Sequence, residues 1–183
     1  AVLPGSRGTE VALLSEPFIR ACELLAKRHD DLVFAIPFVN EKRSLQFQAE
    51  VRRLKADPGL FYSFDKQSRE LLSCADAVMM SSGTATLEAM LCRAPMVVCY
   101  KFKWLSYQIF KRIVNVKYFS LPNLLADKPL VPELLQSQVT PENIADHIEK
   151  ILKKDGVALR ESFAQLHKMI RLDASVKAAD AVL

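Results

Sequence analysis

The sequence predicts a doubly wound α/β domain built on a parallel sheet. Three observations carry that expectation. Short β-rich apolar runs recur along the chain ("DLVFAIPFVN", "LFYSF", "AVMMS", "PMVVCYKF"), and segments with apolar residues at helical spacing separate them. The runs are nearly continuous in apolar residues, as suits strands buried on both faces by crossover helices. Turns rich in Gly, Ser and Thr stand where two of the strands give way to helices.

The elements follow in order. Ala1, Val2 and Leu3 read as the end of a buried strand that begins before residue 1, so the chain is expected to belong to something longer. Pro4 and Gly5 mark a turn. Thr9 is expected to cap a helix from near Glu10, with Leu13, Leu14, Phe18, Ile19, Cys22, Leu24 and Leu25 as its inner stripe. Pro17 signals a kink or a late start in it. A strand is expected over 31–40, an amphipathic helix over 41–57 stopped by Pro58-Gly59, and a strand over 60–64. A short helix over 66–76 precedes a strand over 77–81, a turn and helix over 82–94, and a strand over 95–102. From Trp104 the pattern is helical, with a loop around 120–135. Two helices then start near Pro141 and Val157, the first with Thr140 as cap and Pro141 at its first position.

Composition bounds the function. Half the residues are hydrophobic and a quarter charged, enough for one cored domain over 1–183 and too apolar for global disorder. The net charge of +4 allows attraction to phosphate or anionic lipid without specifying nucleic acid. Cys22, Cys74, Cys92 and Cys99 stand singly within apolar patterns, with no CxxC pair and no His at metal-ligand spacing. They read as buried free thiols of a reducing compartment. No metal site and no cofactor are expected. His29, His147 and His167 fall on polar faces or helix ends and read as solvated bystanders.

Two turns carry chemistry. In the first, Gly5, Ser6, Arg7 and Gly8 lie between a strand and a helix N-terminus, where N–H groups, the helix dipole and a guanidinium all favour an anion. In the second, Ser81, Ser82, Gly83, Thr84 and Thr86 supply N–H and O–H donors at a strand end. Glu88 follows within the helix. A phosphate would repel its carboxylate, so ribose hydroxyls are the better partner. Alone, the second turn reads equally as an ordinary capped turn. Together the two read as a diphosphate held between two helix N-termini. Neither matches GxGxxG or GxxxxGK[ST], and no catalytic base is visible.

Three stretches carry a resemblance: "LPGSRGTEV" at 3–11, "SSGTATLEAMLCRAPMVVCYK" at 81–101 and "YFSLPNLLA" at 118–126. They resemble the lipid-A-disaccharide synthases, inverting GT-B glycosyltransferases of family 19 from Gram-negative lipopolysaccharide biosynthesis. The likeness spans the chain in the same order, but only the C-terminal, donor-binding half of such enzymes. It implies a Rossmann-like doubly wound sheet, with the N-terminal acceptor domain and the general base absent from these residues. The implied substrates are UDP-2,3-diacylglucosamine and 2,3-diacylglucosamine 1-phosphate (lipid X), joined into the β-1,6 lipid A disaccharide. The implied UDP-sugar contacts are Gly5, Ser6, Arg7, Gly8, Ser82, Gly83, Thr84, Thr86, Glu88 and Asn123, Asn123 reaching nucleotide or sugar. On position alone, Val39-Asn40 and Phe64-Asp65 are candidates to border the uracil. The isolated chain should bind donor without turning it over.

The segment 100–119 interleaves aromatic and basic residues. If helical, Lys103, Trp104, Tyr107, Phe110, Lys111 and Arg112 would form an interfacial anchor on an anionic membrane surface. A core helix with outward lysines is the plainer alternative. Nucleic-acid stacking is disfavoured because no RNA-binding motif accompanies it. With the resemblance, these residues imply a peripheral enzyme at the cytoplasmic face of the inner membrane of a Gram-negative bacterium. The apolar C-terminal helices are expected to pack on the domain, on another domain or on a second subunit, and the resemblance suggests a homodimer. Competing readings are another GT-B UDP-sugar enzyme, including an epimerase, and a non-catalytic nucleotide- or membrane-binding module.

Overall fold

A computed structural model describes residues 1–102 and 117–171. Strand β1 (Val2–Leu3) leads into α1 (Gly8–Arg28), and β2 (Phe34–Phe38) into α2 (Glu41–Arg53). A 3₁₀ turn (Pro58–Leu60) precedes β3 (Phe61–Asp65), and α3 (Ser68–Cys74) precedes β4 (Val78–Ser81). Then come α4 (Ala85–Leu91) and β5 (Met96–Tyr100). After residue 116 follow α5 (Leu121–Ala126), β6 (Glu133–Leu135), α6 (Pro141–Lys150) and α7 (Gly156–Ile170).

Among the described residues the ladders are parallel. One sheet runs β1-β4-β5-β6 and a second pairs β2 with β3, while β2 lies against β1. The spatial order is therefore 3-2-1-4-5-6, a Rossmann-like arrangement whose order reverses between β1 and β4. Helix α1 packs on α2 and α6, and α4 packs on α3, α5 and α7. These two helical groups flank strands whose side chains are almost entirely buried in β4 and β5. Phe18, Phe47 and Phe163 from three helices, with Ile36, Met80 and Met96 from the strands, form the core. Truncating such a buried Phe to Ala costs about 3–5 kcal/mol.

Several expectations change in detail. Helix α1 starts at Gly8 with Arg7 as its N-cap, so Thr9 lies inside it, and it runs through Pro17 without a late start. Leu13 and Leu24 are only partly buried, whereas Val11 and Ala21 are fully buried. Strand β2 is not fully buried on both faces: Phe34, Ile36 and Phe38 on one face are buried, while Ala35 and Pro37 on the other are half-buried. Helix α2 begins at the Asn40 cap, whose side chain accepts a bond from the Arg43 N–H, and ends at Arg53, before Pro58. The expected loop over 120–135 contains α5 and β6. Helices α6 and α7 are joined by a π-helical turn (Ile151–Asp155) instead of a break.

Candidate functional site

The reversal of strand order opens a crevice beyond the carboxyl ends of β1 and β4, and both special turns leave from there. At the first turn Gly5 has φ +118°, a conformation that L side chains rarely adopt, and a Cβ there would overlap Glu10. Glu10 folds back over the turn. Its Oε2 accepts from the backbone N–H groups of Ser6 (3.0 Å) and Arg7 (3.2 Å), and its Oε1 from Arg7 Nη1 (3.0 Å). The Glu10 side chain is 14% exposed, that of Arg7 79%. Gly8 serves another purpose. The Arg43 guanidinium lies where its side chain would be, and its carbonyl accepts from Gln46 Nε2 at 2.8 Å, so Gly8 lets α2 approach α1.

At the second turn two of the hydroxyls are bound within the fold itself. Ser82 Oγ donates to the Phe119 carbonyl (2.7 Å). Thr86, fully buried, donates through Oγ1 to the Gly83 carbonyl (2.7 Å) and accepts from the Leu121 N–H (3.3 Å). These bonds bracket the segment 119–121. Glu133 holds the same segment from the other side, accepting from Phe119 N–H, Ser120 N–H (2.8 Å), Ser120 Oγ (2.6 Å) and Asn123 Nδ2 (2.9 Å). Asn123 is 1% exposed; its Nδ2 also donates to the Val131 carbonyl (2.9 Å), and its Oδ1 accepts from the Val131 N–H (2.8 Å). In this geometry the Asn123 amide clamps the loop between α5 and β6, and Asn123 is not part of the lining of the cleft between the two turns.

A cleft of about 530 Å³ lies between the turns. It brings Gly5, Ser6 and Arg7 together with Ser82, Gly83, Thr84 and Glu88. Gly8, Thr86 and Asn123 lie outside its lining. Of the residues proposed beside the uracil, Val39 lines it, whereas Asn40, Phe64 and Asp65 line a neighbouring hollow. Two charged residues of the wall were missed. Lys66 follows β3 in a left-handed backbone conformation (φ 55°), fixed by its N–H bond to the Phe38 carbonyl at 3.1 Å. Its place just past a strand end was the available signal. For Glu10 the signal was its position three residues after the N-cap, where an acidic side chain reaches back to the cap backbone. Arg7 and Lys66 thus supply two cations to a cleft that also holds the carboxylates of Glu10 and Glu88.

Elsewhere the histidines lie at the ends of helices, as expected. His29, His147 and His167 are partly buried, and His29 Nε2 lies 3.3 Å from Glu149 Oε1. Cys74 is exposed and Cys92 partly buried, so only Cys22 and Cys99 fit the reading of buried thiols. Among the described residues no group of three or more His, Cys, Asp or Glu could hold a metal ion, and no helix is long and apolar enough to cross a membrane. Lys103, Trp104, Tyr107, Phe110, Lys111 and Arg112 lie outside the described residues, as does the chain from 172 onward. At the edges of that aromatic segment Tyr100 packs on Phe102 (ring centroids 4.4 Å apart) and on Phe119 (6.3 Å).

The family model described as lipid-A-disaccharide synthetase matches residues 1–182. Lipid-A-disaccharide synthases from Glaesserella parasuis, Aeromonas hydrophila and Pseudoalteromonas translucida are 46%, 47% and 48% identical to this chain. Each alignment covers 100% of the chain and 49%, 48% and 48% of the respective relative. The chain therefore spans about half the length of the curated relatives it matches. Among solved structures, a S. aureus TarM mutant in complex with Fondaparinux, alpha-GlcNAc-glycerol and UDP gives a TM-score of 0.47 at 13% identity, over 90% of this chain and 32% of that one.

Proposed function

The chain belongs to the lipid-A-disaccharide synthetase family, matched along residues 1–182, and from that premise we propose that it forms the UDP-sugar-binding domain of a glycosyltransferase of lipid A synthesis. The reaction joins 2,3-diacylglucosamine, carried by UDP, to 2,3-diacylglucosamine 1-phosphate through a β-1,6 bond. The acceptor hydroxyl attacks the sugar C1 and the diphosphate leaves. The acceptor side and the general base belong to chain outside these residues. What this domain contributes is electrostatic. Arg7, Lys66 and the turn N–H groups would meet the charge that grows on the departing diphosphate. Glu88 would accept from the ribose hydroxyls.

The observation that carries the reading is that the two turns, far apart in sequence, wall one cleft at the reversal of strand order. Calorimetric titration of the chain with UDP, beside Arg7→Ala, tests it. Loss of a charge-assisted contact should weaken binding by roughly 10- to 100-fold. Equal affinity in the two proteins would remove the Arg7 side chain from the site. Peripheral contact with an anionic bilayer at the cytoplasmic face of the inner membrane belongs to the same proposal. It is supported by the net charge of +4 and the basic aromatic composition of 100–119. Pairing of two copies through the C-terminal helices is a further part of it.

A further inference from the structure

We propose that Glu10 is the resident anion of the first turn, and that a diphosphate enters by displacing its carboxylate. The proposal rests on the donor-site reading above. The backbone N–H groups of Ser6 and Arg7 and the Arg7 guanidinium converge on one point of the cleft, and both Glu10 oxygens lie there, at 3.0–3.2 Å. This is the donor set a phosphate oxygen requires. It is also already assembled. Gly5 allows this close approach, since any side chain at that position would overlap Glu10. Glu10 lines the same cleft as Lys66, Ser82 and Thr84.

Two anions cannot share these three donors, so binding is an exchange. The carboxylate must turn away as the phosphate arrives, or the phosphate gains only part of the donor set. In the free protein the carboxylate keeps the turn in its binding shape and prevents stray anions from occupying it. Glu10 thereby lowers donor affinity while preserving the cradle. Affinity is set by the difference between two similar anions on the same donors and not by the cradle alone.

Glu10→Gln separates charge from shape. Glutamine at this helix position still accepts from the cap backbone, so the turn and the start of α1 are kept. The anion is removed. The variant should bind UDP and inorganic pyrophosphate on the order of tenfold more tightly than the parent, the yield of relieving one charged competitor. Amide resonances of Ser6 and Arg7 should move on pyrophosphate addition, at lower concentration in the variant. Thermal melting checks that the fold is intact, and Glu10→Asp, with a shorter reach to the same donors, should fall between the two. Equal or weaker binding by Glu10→Gln overturns the proposal, as does binding of neither ligand. Tighter pyrophosphate binding by the variant, with UDP bound by neither protein, would keep this inference and sink the nucleotide reading. Equal UDP binding by both proteins would do the reverse.

Discussion

Asn123 shows what a single residue can hide. Its letter suits a ligand contact, yet in the fold its amide completes the backbone of Val131 and one side of Glu133. Asn123→Ala strands a buried N–H and a buried carbonyl, at about 1–3 kcal/mol each. The expected loss of about 2–6 kcal/mol lowers Tm by about 4–24 °C for a domain of this size, read by calorimetry. Melting at the parent's temperature would mean that the clamp is not formed. Nothing in the sequence around Asn123 announces this role, because its partners lie on the far side of a loop. The cysteines divide by the same cause. Burial pushes the Cys22 and Cys99 thiols far above their ordinary range, so they stay protonated and unreactive. Cys74 is exposed. An aromatic disulfide reagent on the native protein should show one fast phase, and Cys74→Ser should remove it. A fast phase that survives would place another thiol at the surface.

At the scale of elements, α1 and α6 are tied at their ends as well as through their apolar faces. Arg28 Nη1 reaches Asp146 Oδ1 (3.1 Å) and Glu149 Oε1 (3.2 Å), while Lys153 Nζ reaches Glu149 Oε2 (3.3 Å). Burial opposes the charge on Glu149, but hydrogen bonds from Lys153, Arg28 and His29 outweigh it and hold the carboxyl below its ordinary value of 4.5. A lowered folded pKa means that the unfolded chain takes up protons first as the pH falls. The contribution of Glu149 is therefore complete above about pH 4.5 and disappears as the pH falls through the folded value. Urea unfolding should find Glu149→Gln less stable than the parent at pH 7, with the gap closing in acid. A gap independent of pH would assign the effect to packing. Elements with strong local signals were legible: Thr140 caps α6 with its Oγ1 on the Asn143 N–H at 3.2 Å, and Pro141 follows as expected. Those without were not. Strand β6 has three residues, directly after Pro132, and α5 has six, both too short for periodicity to register.

The whole molecule makes the cleft, and it does so across a seam. The sequence made both turns legible as anion-friendly, and the doubly wound order joins them because such sheets reverse beside their first strand. What composition could not reveal is that no backbone ladder links β2 to β1, so the β2–β3 pair is held to the larger sheet by side chains. Lys66, Pro37 and Val39 bring that pair to the cleft, while Ser82, Thr84 and Glu88 bring the larger sheet. A diphosphate between them would bridge the seam. In the free protein, amides of 34–38 and 61–65 should exchange faster than those of β4 and β5, since local opening there breaks fewer ladders. UDP at about 100 times its Kd slows any opening that destroys the site by about 100-fold. Protection should therefore rise across 34–38 and 61–66 in hydrogen-exchange mass spectrometry, and Lys66→Ala should lose most of that gain while keeping the exchange pattern of the free protein. If UDP binds by calorimetry but leaves β2 and β3 unprotected, the ligand rests on the larger sheet alone, and Lys66 is a bystander at the rim.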